Sequence, residues 1–193
     1  MGSKNRRGAQ AAPSEIIPKH PSEITAHPNI ALTGNILTLT IDYCGPGSPI
    51  AKSTFMQSLL SILPDYAPYV NILQLSIHAG IPHMEPPSVY ISHIADMKSI
   101  VGEVNKFKKC GQVRVRMLVD CCSFPQMKLA AAMFGLRQDV QRTLQYVVKG
   151  EEPVGVNQDD DTMRRLSGVW RKEFCEGLKG LGWDGLEVCR GGR

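Results

Sequence analysis

The segment Asn35-Ile36-Leu37-Thr38-Leu39-Thr40-Ile41-Asp42 returns later in the chain as Asn71-Ile72-Leu73-Gln74-Leu75-Ser76-Ile77-His78, class of residue for class of residue. In both copies apolar and polar side chains alternate. Leu37, Leu39 and Ile41 oppose Thr38, Thr40 and Asp42, and Leu73, Leu75 and Ile77 oppose Gln74, Ser76 and His78. A β-strand sends successive side chains to opposite faces, so each copy is expected to be a strand with one buried and one wet side. A helix would scatter both sets around its circumference and bury neither cleanly.

Two further stretches carry the same alternation. Val113, Val115, Met117 and Val119 point one way in the stretch 113–120, with Arg114 and Arg116 on the other side, and Leu144, Tyr146 and Val148 do the same in 144–149. Between the strands lie helical patterns. Ser53 is placed to cap a helix with the face Phe55, Leu59, Ile62 and Leu63, ended by Pro64. Ile94, Met97, Val101, Val104 and Phe107 form a second stripe, ending before Gly111. Pro125 opens a third helix carrying Met127, Leu129, Ala130 and Met133, and Asp161 precedes a fourth with Met163, Leu166, Val169, Trp170 and Phe174.

Strands alternating with helices imply right-handed crossovers and parallel pairing. The expected class is therefore α/β, with a mainly parallel sheet of about four strands in βαβα order. Strands covered on both faces read as continuous apolar runs; these alternate instead. Helices are thus expected mostly on one face, in a singly wound, solenoid-like arrangement that leaves a polar sheet face open.

Residues 1–30 hold Pro13, Pro18, Pro21 and Pro28 among polar neighbours and read as a disordered N-terminal arm. Residues 31–178 are expected to form a single α/β domain, and 179–193, ending Arg190-Gly191-Gly192-Arg193, a flexible C-terminal tail. The length of 193 residues with 42% hydrophobic content suits one such domain.

The net charge of +4 is too small to mark a dedicated nucleic-acid binder, and the densest basic stretch, Lys106 to Arg116, holds a single aromatic, Phe107, which belongs to the apolar stripe of the second helix. No run is long enough for a membrane span, and the first residues lack the apolar core of a secretory signal. Cysteines without C-x-x-C pairs in such a chain are expected to be reduced thiols, which points to an intracellular, cytoplasmic or nuclear, soluble protein. The five histidines and six cysteines show no paired ligand spacing, so no metal or other cofactor is expected.

Three stretches invite chemistry. The Gly45–Thr54 loop follows a strand and opens a helix, the setting of a phosphate-binding loop. However, Pro46 and Ala51 stand where that loop needs glycines, so a Gly/Pro turn is the simpler reading. Asp42, Cys44, His78, His83, Asp120 and Cys121 gather at strand carboxyl ends, where α/β proteins bind ligands, and a thiol-dependent enzyme at Cys44 or Cys121 would use them. Asp159-Asp160-Asp161 suits the positive end of the helix it precedes better than a Mg²⁺ ion.

Arg114 and Arg116 share the polar face, where two guanidiniums suit a carboxylate or phosphate; the alternative is a solvated face. No stretch carries a catalytic signature, and no catalytic residue is assigned. The expectation is a non-enzymatic interaction or scaffold module that binds another protein through Gln74, Ser76, His78, Arg114 and Arg116. The alternatives are a small phosphate- or nucleotide-binding enzyme using the Gly45–Thr54 loop and a thiol-dependent enzyme.

Overall fold

The two copies of the repeated phrase lie side by side in parallel register, Leu37 beside Leu73, Leu39 beside Leu75, Ile41 beside Ile77 and Asp42 beside His78. Their repetition in sequence is thus their pairing in space. This arrangement comes from a computed structural model that describes residues 20–44, 53–80, 86–120, 123–148 and 150–176.

Six strands form one sheet in chain order: β1 (Ile30–Thr33), β2 (Ile36–Asp42), β3 (Ile72–His78), β4 (Gln112–Val119), β5 (Gln141–Val148) and β6 (Val154–Val156). β2 to β5 are mutually parallel, whereas β1 and β6 pair antiparallel with β2 and β5. The expected count of about four is corrected to six by the two short edge strands. For β1 a signal was present. Gly34 and Asn35 alone separate the paired residues Thr33 and Ile36, and Gly34 has φ 61°, a left-handed backbone that glycine adopts freely in a tight hairpin.

Four α-helices accompany the sheet: α1 (Ser53–Tyr66), α2 (Pro87–Val104), α3 (Phe124–Met127) and α4 (Asp161–Val169). Pro64 does not end α1, contrary to the sequence reading; the helix runs on to Tyr66. So near a terminus proline sacrifices little of the hydrogen-bond ladder, and Leu63 and Tyr66 are both buried. The third helix is mostly a 3₁₀ segment, Lys128–Gly135, which buries Leu129, Ala130, Ala131, Ala132 and Met133. α4 starts from Asp160, whose carboxylate accepts the Thr162 N–H at 2.8 Å, and continues as a π-helical turn, Trp170–Cys175. Asp160 thus caps α4 and Asp161 lies in its first turn, in line with the helix-start reading of these acids.

The core gathers the inward residues of β2, β3 and β4 with Leu59, Leu63, Met97, Ile100, Phe107 and Phe174, and it reaches back to Ile24 and Ile30. Gly135 permits the closest approach within the helical layer. A Cβ there would strike the edge of the Trp170 indole, which stacks on Phe174 at 5.1 Å. Glu173 joins three elements, accepting from Tyr90 Oη at 2.7 Å and from Lys128 Nζ at 3.2 Å. Among the described residues, no helix is long and apolar enough to cross a membrane.

Candidate functional site

Strand pairing arranges the polar sides of β2 to β5 in rows. One row runs Thr38, Gln74, Arg114, Thr143, and the next runs Thr40, Ser76, Arg116, Gln145. A third, at the carboxyl edge, runs Asp42, His78, Leu118, Val147. All five residues singled out from sequence therefore fall on one side of two adjacent strands, with Gln74 beside Arg114 and Ser76 beside Arg116. Asp42 is the only acid in these rows, so the two guanidiniums dominate the electrostatics of the face.

The five are not equally available. Arg114 is exposed and donates from Nη2 to Gln112 Oε1 at 3.1 Å. Arg116 is half-buried, and its Nε is shielded from solvent without a hydrogen-bond acceptor among the described residues. Ser76 is only 8% exposed, a short side chain flanked by longer ones, and so offers little contact area. An open depression of about 350 Å³ is lined by Gln74, Arg114, Arg116, Thr143, Gln145 and Pro153. Thr143 and Gln145 were legible in principle, because Leu144 and Tyr146 turn inward and leave their neighbours facing out. Pro153 follows the β5 turn, and no periodic signal marks it.

The carboxyl edge differs in character. His78 Nδ1 lies 3.0 Å from Asp42 Oδ1, and that oxygen also accepts the Cys44 backbone N–H at 2.8 Å. One donor atom each from Asp42, Cys44 and His78 lies within 4.8 Å of the other two, and all three residues are half-buried. Asp42 and His78 meet because they are register partners, and Cys44 joins them because it lies two residues beyond Asp42. The structure thus brings together three of the six strand-end residues. Asp120 lies apart, within 3.5 Å of Gln126 Nε2. His83, Cys121, Lys149 and positions 45–52 of the proposed phosphate loop lie outside the described residues.

Beside Cys44 the chain turns to the core. The Tyr43 ring lies 3.8 Å from that of His93 on α2, and its buried hydroxyl has no hydrogen-bond partner among the described residues. Burial holds the His93 imidazole down to about 4 and lifts the Asp96 carboxyl to about 6. The same burial, with the Asp96 charge, pushes the Tyr43 phenol up.

Comparison with protein-family models, with curated proteins and with solved structures finds no match.

Proposed function

We propose that this chain is a non-enzymatic interaction module whose polar sheet face receives an extended acidic segment of another protein. The observation that carries the reading is the pair Arg114 and Arg116, two residues apart on β4, in rows that contain no acid. Guanidiniums form forked, charge-assisted hydrogen bonds with carboxylates, and Arg116 keeps a shielded Nε without an acceptor among the described residues. Gln74, Thr143 and Gln145 border the same depression and offer neutral hydrogen-bonding groups to a peptide backbone. In this reading the helices stay mostly on one side of a singly wound, solenoid-like sheet, which keeps the polar face accessible. The alternation of burial along β2 and β4, broken on β3 only at Ser76, supports that view.

A carboxylate-rich partner is favoured over nucleic acid because, among the described residues, the two rows carry two cations, not an extended basic track, and no aromatic side chains for base stacking. The test is fluorescence anisotropy with a labelled Glu-rich peptide, repeated with a labelled oligonucleotide. The expected result is salt-sensitive binding of the peptide that Arg114→Glu with Arg116→Glu abolishes, with the thermal unfolding curve unchanged. Equal binding by the double variant, or tighter binding of the oligonucleotide, overturns the proposal.

A further inference from the structure

Three donors of different chemistry converge at the carboxyl edge of β2 and β3, away from the arginine rows. We propose that Asp42, Cys44 and His78 form a three-ligand site for zinc, with a fourth coordination position left to solvent or a ligand.

The geometry is close to what the ion needs. Zinc holds thiolate sulfur at about 2.3 Å and imidazole nitrogen or carboxylate oxygen at about 2.0–2.2 Å, which in a tetrahedron sets donors roughly 3.3–3.8 Å apart. The three donor atoms already lie within 4.8 Å of one another, and the Asp42–His78 pair stands at 3.0 Å. Small side-chain rotations therefore complete the site, with no movement of the strands. Parallel pairing holds the Asp42 and His78 backbones in register, and β2 continues directly into Cys44.

The donor set selects the metal. Magnesium and calcium favour all-oxygen ligands, whereas one thiolate, one imidazole and one carboxylate suit a borderline-soft ion such as zinc. Three protein ligands leave the fourth position of a tetrahedral zinc open to water or a bound group, unlike a closed four-ligand structural site. Its place is also where open α/β sheets bind ligands, beyond the carboxyl ends of parallel strands. Half-burial gives the ion a way in while shielding the thiolate. On binding, the Cys44 thiol gives its proton to solvent and the sulfur electron pair forms the zinc bond. The His78 imidazole and the Asp42 carboxylate each supply a lone pair to the ion. No paired spacing announces the site in sequence, because its ligands come from two strands joined only by register.

Zinc binding to the full-length, reduced chain is measured by competition with a chromophoric chelator. Alongside it, alkylation of each cysteine by iodoacetamide is followed by peptide mass spectrometry with and without one equivalent of zinc. The expected result is one site in the wild type, weakened at least about 10-fold by Cys44→Ser and by His78→Gln. Cys175→Ser, which alters an exposed thiol, is expected to leave affinity unchanged. In the unaltered protein, zinc is expected to slow alkylation of Cys44 selectively, a readout that requires no variant to fold. Undiminished zinc affinity in Cys44→Ser and His78→Gln overturns the proposal. So does rapid Cys44 alkylation insensitive to zinc, which would instead mark a free nucleophilic thiol. Neither result bears on Arg114 and Arg116, so this site and the acidic-segment reading fail independently.

Discussion

The two sides of β4 are built from one continuous stretch of chain, yet they meet opposite environments. Val113, Val115, Met117 and Val119 are at most 3% exposed, while Arg114 and Arg116 stand between them on the other side. Neighbouring β5 sharpens the contrast, because it carries an arginine on the core-facing side. Arg142 pairs with Val113, and its Nη2 donates to the Leu136 and Arg137 carbonyls at 3.2 and 3.0 Å. Those carbonyls follow the 3₁₀ segment, so this guanidinium closes off a helical end. The Arg116 guanidinium has no such fixed task among the described residues. Inside, charge closes a helical end; on the polar side, Arg116 Nε goes without an acceptor among the described residues.

The contrast predicts stability effects of unequal size. The largest is expected from Ile77→Ala, which empties a fully buried position on β3 and is expected to cost about 2–5 kcal/mol by chemical denaturation. A loss under 1 kcal/mol would mean that the core side is much looser than its burial implies. Next, Gly135→Ala drives a methyl into the Trp170 ring and is expected to cost about 1–3 kcal/mol. Gly102→Ala, with open space around its Cβ in α2, is expected instead to stabilise by roughly 0.5–1 kcal/mol. Opposite signs for the two glycines in thermal melts would establish that close approach, not helix propensity, governs position 135.

A subtler effect concerns pH. The folded-state pKa of His93 lies below its unfolded value of 6.5, so its contribution is present above pH 6.5 and lost as pH falls toward about 4. The folded-state pKa of Asp96 lies above its unfolded value of 3.8, so its contribution is present below that value and lost as pH rises through about 6. The two oppose each other across one window. Asp96→Asn is expected to leave stability rising from pH 4 to 6.5, and His93→Gln to leave it falling. Identical slopes in the two variants would remove burial as the cause. Smallest of all, Arg114→Glu is expected to shift stability within about 0.5 kcal/mol, because the side chain is exposed. A larger loss would show that the polar face is structural.

Much of the sheet was legible because strand alternation is a local property. β2, β3 and β4 fall where period two places them, β5 begins at Gln141, three residues earlier than its alternation announces, and Leu37, Leu73 and Val113 face the core as the pattern requires. The edge strands were harder. β6 is only Val154–Val156 and β1 only Ile30–Thr33, both too short for alternation to register. Helix form was only partly legible: the residues around Ala130 pack in a 3₁₀ turn, where alanine side chains are small enough for tight winding against neighbours.

The sequence alone determined which side chains share a side of each strand, because neighbouring residues on a pleated backbone must point apart. That placed Gln74, Ser76, Arg114 and Arg116 together before any coordinates. Only the tertiary structure decided that Ser76 is covered, that Pro153 rims the depression, and that Asp42 stands beside His78 with Cys44 close by. The physical reason is that these relations depend on register between strands separated by a whole helix. Alternation restricts register to steps of two residues, and which step is realised is settled only when strands, helices and connections pack together.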